Sequence, residues 1–103
     1  MKTNELIGPA LDWAVAKATL PPDRTPEPSF VDLCVRRNFC PSEAWEQGGP
    51  IIEREGIEFR ASGTQASIVD GRTYYGPTHL IAAMRCYVAS KMGNNIDIPK
   101  ELT

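Results

Sequence analysis

The sequence predicts an α+β fold, a small antiparallel sheet of about three strands packed with an N-terminal and a C-terminal helix. Three observations lead there. Apolar residues recur at helical spacing near both ends of the chain: Leu11, Ala14, Val15 and Ala18 in one run, Leu80, Ala83, Met84, Tyr87 and Val88 in the other. The middle switches to alternation, with Ile57, Phe59 and Ala61 on one side and Glu58 and Arg60 on the other. Asp70-Gly71 then sits between two strand-like runs, ASIV and RTYY, where an Asp-Gly pair suits the positive φ angles of a tight hairpin. With 103 residues the chain is one domain, 1–103.

The elements follow in order. Thr3 or Asn4 can cap a short opening turn, and Pro9 suits the first turn of a longer helix, where its missing N–H costs nothing. That helix must end by Pro21-Pro22, because the residue before a proline resists helical angles. Trp13 falls off its apolar stripe, so it is expected on an exposed face. Residues 21–44 read as an irregular, Pro-rich connection: PPDRTPEPS holds four of the nine prolines, and VDLCVRRNFCPS fits either a turn of helix or a short strand. GGPIIEREGI fits a hairpin or a short helix. The helix is preferred, with Gly49 before its start, Pro50 at its first position and Gly56 ending it, since Glu-Gly is not a favoured hairpin turn. The last helix is bounded by Gly76-Pro77-Thr78 and Gly93. Its second apolar side, Ile81, Ala82, Cys86 and Ala89, exceeds what one core needs to cover. Trp13, Ile81, Ala82 and Ala89 are therefore the expected subunit interface of a homo-oligomer. NNIDIPKELT forms a short edge segment or a mobile tail.

Composition excludes several function classes. Hydrophobic residues make up 42% of the chain, which suits a folded domain. The net charge of −2 argues against a nucleic-acid partner, which normally meets a basic face. No apolar run approaches a membrane span, and MKTNELIGPA lacks the pattern of a secretory signal. A cytosolic setting is expected, with Cys34, Cys40 and Cys86 as free thiols. Their spacing, with the single His79, matches no familiar zinc pattern, so no metal and no cofactor are expected.

A catalytic set is hard to assemble. Glu53 and Glu55 would point about 200° apart on a helix, so they read as a solvated charged face rather than an acid pair. His79 with a cysteine is the remaining nucleophilic arrangement, and the plainer reading is a residue at a helix start. No catalytic residue is assigned, and the protein is not expected to be an enzyme. Binding chemistry is richer. Gly48-Gly49-Pro50 and Thr78-His79 both precede helix starts, whose free N–H groups suit a phosphate or carboxylate. Trp45, Tyr75 and Pro77 lie beside them, and aromatic faces near arginines can hold a nucleobase. Arg85 stands within an otherwise apolar helix and needs a carboxylate, a carbonyl or a ligand anion. The expected ligand site is thus Trp45, Gly48, Gly49, Pro50, Arg54, Tyr75, Pro77, Thr78, His79 and Arg85.

WEQGGPIIEREGI, followed by GPTHLIAAMRCYVASKMG, resembles the NinX-like family of small enteric phage and prophage proteins, and the opening ELIGPALDWAVAKA resembles that family's start. The resemblance covers the first helix and most of residues 41–102, and residues 21–40 depart most from it. It implies a phage accessory protein made in the cytoplasm of the bacterial host, with no established activity to carry over. Together with the site chemistry, the expectation is a protein that binds and sequesters a small anionic, nucleotide-derived host immune signal without cleaving it. The alternative is a protein-interaction module that inhibits a host or phage enzyme by direct contact.

Overall fold

The computed structural model describes residues 1–21, 23–60, 65–67 and 73–102. Helix and strand are mixed, as the class requires. A 3-10 turn (Thr3–Glu5) leads into α1 (Gly8–Thr19), α2 (Ser29–Val35) and α3 (Trp45–Glu55). Three short strands follow, β1 (Glu58–Arg60), β2 (Gln65–Ser67) and β3 (Thr73–Tyr75), then α4 (His79–Met92) and a 3-10 turn (Lys100–Leu102). β2 lies between the other two and is antiparallel to both, with Phe59 opposite Ala66 and Ala66 opposite Tyr74. The Asp70-Gly71 hairpin lies outside the described residues.

α4 is the centre of the molecule. It packs against α1, α3, β2, β3 and the opening turn. That placement explains its composition: Leu80 to Met84, Cys86, Tyr87 and Val88 are all buried within this one chain. The interface expected at Ile81 and Ala82 is therefore corrected. Their side chains are used internally, because the chain wraps the helix on several sides. Ala89 is only half-buried. Trp13 is corrected in the same way: it is 5% exposed, since α1 is itself covered by α4 and α2. Leaving the stripe did not take it out of the core.

The boundaries of α4 are those its sequence indicates. Thr78 Oγ1 accepts the Ile81 N–H at 3.1 Å, and Gly93 ends the helix with its N–H donated to the Ala89 carbonyl. α1 carries Pro9 in its first turn and ends at Thr19, with Leu20 already extended. Thr3 does not cap the opening turn. It is buried, and its hydroxyl donates to the Gly93 carbonyl at 2.7 Å. The start of the chain runs beside the segment after α4: the Thr3 N–H donates to the Asn94 carbonyl, the Ile96 N–H donates to the Met1 carbonyl, and Lys2 bridges Asn95.

α3 differs most from expectation. It begins at Trp45, with Ala44 as its cap residue, so Gly48, Gly49 and Pro50 lie inside the helix rather than ahead of it. Its C-terminal end is where it was expected, at Gly56 in the left-handed conformation (φ 66°). The interior position of Gly48 has a packing reason. A Cβ there would fall 2.4 Å from the Pro41 carbonyl oxygen and 2.7 Å from Leu80 Cδ2, so only glycine lets α3 approach that loop and α4 so closely. Within the Pro-rich connection, α2 is seven residues long, and its Phe30 meets Phe39 edge-on with centroids 5.0 Å apart.

Candidate functional site

The start of α4 opens into a cleft of about 290 Å³, lined by Ser42, Glu43 and Trp45 from the α2–α3 side and by Thr78, His79, Leu80 and Ile81. The loop before α3 is held by its own side chains. Gln47 on α3 accepts the Cys40 N–H at 2.8 Å and donates to the Asn38 carbonyl at 3.3 Å. Arg37, which has positive φ, pairs with Glu43 across the loop. The Ser42 N–H donates to Asp12 Oδ1 at 2.9 Å, which ties the loop to α1. These bonds fix Ser42 and Glu43 beside the first turn of α4.

Two kinds of group meet in the cleft, above a buried polar pair. The first is the N-terminus of α4. The Thr78 hydroxyl satisfies one N–H, and helical geometry leaves those of His79 and Leu80 without intrahelical acceptors. The second is aromatic. Trp45 is 56% exposed, and its ring centroid lies 6.4 Å from that of His79, which in turn meets Phe59 edge-on at 5.2 Å. The pair beneath the wall is polar and buried. Ser42 is 1% exposed, and its Oγ has no hydrogen-bond partner among the described residues. Its neighbour Asp12 is fully buried with Oδ2 likewise unpartnered. Burial pushes the Asp12 carboxyl above the ordinary aspartate range, and the contacts with Ser42 pull back only part of the way. Burial, with Asp12 nearby, pushes the Cys34 thiol up to about 11, which leaves it inert as a nucleophile.

Of the residues expected at a ligand site, the cleft brings together Trp45, Thr78 and His79. The others are placed elsewhere. The Gly48 N–H is taken by the Ala44 carbonyl at 2.9 Å, and Gly49 lies one residue deeper in the helix, so the glycine pair presents no free anion-binding amides. Pro50 is a helix-interior residue. Arg54 is nine residues past Trp45, roughly 14 Å along the helix axis. It donates to Glu55 Oε2 at 3.0 Å and to the Tyr87 hydroxyl at 3.4 Å. Tyr75 is exposed at the end of β3, and neither it nor Pro77 lines the cleft. Arg85 has found carbonyls: Nε donates to Leu6 O and Nη1 to Tyr75 O, both at 2.8 Å. It is a structural clamp, and burial draws its pKa below the ordinary arginine value. Ser42, Glu43 and Phe59 were not read as site residues. The sequence carried no local signal for them, because contacts distant along the chain place them.

Among the described residues, no group of three or more His, Cys, Asp or Glu is placed to hold a metal ion, and no helix is long and apolar enough to cross a membrane. No curated protein matches the chain. A family model does match: the one described as Bacteriophage P22, NinX covers residues 2–91, the Pro-rich connection included, and the chain belongs to that family.

Proposed function

We propose that this phage protein binds a small anionic, nucleotide-derived host immune signal at the cleft where α4 begins, and sequesters it in the host cytoplasm without cleaving it. The observation that supports this reading is the exposed face of Trp45 standing beside the N-terminus of α4 in one cleft. Trp45 offers a stacking surface for a base. The amides of His79 and Leu80 offer a phosphate the positive end of a helix. At about 290 Å³ the cleft lies at the lower edge of the roughly 300–1,000 Å³ usual for ligand pockets. It therefore suits one nucleotide unit rather than two. Glu43 at the rim has its charge paired with Arg37, which reduces its repulsion of an anion.

The protein-contact alternative no longer rests on Trp13, Ile81 and Ala82, which are buried. Its support is now the exposed Leu33 and Val35 on α2.

Isothermal titration with AMP, cyclic dinucleotides and ADP-ribose tests the proposal. Saturable binding of at least one is expected, with unchanged ligand recovered afterwards. Trp45→Ala is expected to weaken it by about tenfold or more, since stacking on one aromatic ring contributes about 1–3 kcal/mol. Absence of binding by the whole set, with folded protein, rejects the reading. A stoichiometric host protein captured instead favours the alternative.

A further inference from the structure

Two larger clefts adjoin at the C-terminal end of α1, away from the Trp45 cleft. One, of about 590 Å³, lies between α1, residues 24–29, α2 and α3. The other, of about 730 Å³, lies between the ends of α1 and α3 and the last turns of α4. Thr19, Leu20 and Arg54 line both, so the two form one trough with Arg54 at its middle. Its two halves differ in character. The α2 half is mainly apolar, with Leu20, Phe30, Leu33, Phe39 and Ile51, and both leucines are more than one-third exposed; Arg24 and Glu27, of opposite charge, also line it. The α4 half carries Arg54, Lys91 and the hydroxyls of Thr19 and Tyr87, which lie 3.0 Å apart, beside apolar surface from Ala18, Pro21 and Met92.

The cationic half has spare capacity. Glu55 is the one acid lining it, and it faces both Arg54, at 3.0 Å, and Lys91, at 3.5 Å. One positive charge is left over, in a chain whose net charge is −2. Arg54 carries five N–H donors. Two of them are engaged among the described residues, by Glu55 and Tyr87. The guanidinium is held over the Tyr87 ring, 5.9 Å from its centroid, and so is fixed in place at the boundary between the two halves.

We infer that this trough binds an amphipathic anion, an acyl chain with a carboxylate head, with the chain along Leu20, Leu33 and Phe39 and the head on Arg54. The chemistry of the walls selects each part. Phe30 and Phe39 turn edge to face on each other, and no indole or phenol face lines the apolar half, so it suits an alkyl chain better than a flat ring. Arg54 and Lys91 favour a negative head and repel a positive one. This site is separate from the Trp45 cleft and does not depend on the nucleotide reading.

The test is calorimetric titration of the intact protein with dodecanoate, below micelle-forming concentrations, against dodecylammonium of the same chain length. Saturable one-to-one binding of the carboxylate and none of the ammonium is expected. Arg54→Gln should weaken dodecanoate by about tenfold or more, the size of a lost charge-assisted hydrogen bond. Leu33→Asp, at an exposed position on α2, should weaken it as well. Circular dichroism and melting curves establish that each variant is folded. Equal binding of both alkyl probes overturns the inference, as does wild-type affinity in folded Arg54→Gln or no saturable binding at all. Should Arg54→Gln fail to fold, the pair of probes on the wild-type protein decides alone.

Discussion

Asp12 is where single-residue chemistry departs furthest from a simple core. It lies in α1 between Leu11 and Trp13, fully buried, with one oxygen bonded to the Ser42 N–H and the other unpartnered. An ionised carboxylate in that position is costly. Because its folded pKa is raised, its contribution to stability is fully present below the ordinary aspartate pKa and is lost as pH rises through the folded value. Glu55 acts in the opposite sense. Its pKa is lowered, first by the hydrogen bond from Arg54 and then by Lys91, so its contribution is lost as pH falls. Asp12→Asn isolates the first effect. It keeps an acceptor for the Ser42 N–H and removes the buried charge. The expected result is greater resistance to urea at pH 7, by about 1 kcal/mol, on the scale of one buried hydrogen bond. The advantage should shrink near pH 3.5, where wild-type Asp12 is protonated. An advantage of equal size at both pH values would show that charge is not the cause. The residue was visible in the sequence as the single acid in LDWAVA, but nothing there says that a loop 30 residues later supplies its partner.

At the scale of elements, α3 shows how packing overrides local preference. Two glycines and a proline inside one 11-residue helix oppose intrinsic propensity, which is why the sequence placed its start at Pro50 rather than at Trp45. The two glycines are expected to respond differently to the same change. Gly48→Ala drives a methyl into the Pro41 carbonyl and Leu80, and should destabilise the protein by about 1–3 kcal/mol. Gly49→Ala meets no atom within 4 Å and should stabilise it by roughly 0.5–1 kcal/mol through helix propensity alone. Equal effects in thermal unfolding would contradict this. Signals carried by chemistry local to an element were legible: Thr78 and Gly93 around α4, Pro9 in α1, and Gly56 after α3. Signals that depend on a neighbour were not. Trp13 and the second side of α4 appeared spare only because the sequence does not say that α1, α3 and the strands surround α4. The candidate site divides in the same way. Thr78 and His79 could be read from helix-start chemistry and Trp45 from its aromatic ring ahead of the glycine pair, while Ser42 and Glu43 reach the cleft through the Asp12 and Arg37 bonds of the loop.

In the whole molecule, the central helix must be joined to a chain start and to strands that are distant in sequence, and Arg85 makes two of those joins with one side chain. Its bonds to the Leu6 and Tyr75 carbonyls connect α4 to the opening turn and to β3. No carboxylate pairs with it among the described ion pairs, so its hold is through hydrogen bonds and its stem. Arg85→Met keeps most of the apolar stem and removes both donors. A loss of about 2 kcal/mol is expected, less than two fully buried charged hydrogen bonds would give, because the group is partly exposed. The loss should also be uneven. Amide exchange should quicken first at Thr3 and Leu6 and in β3, while the middle of α4 stays protected by its other contacts. Nucleotide affinity at the Trp45 cleft should be unchanged in folded Arg85→Met, because Arg85 does not line it. A variant of normal stability that lost ligand would instead return Arg85 to the role of an anion-binding residue. A uniform rise in exchange would mean that its two joins hold the whole core rather than its edges.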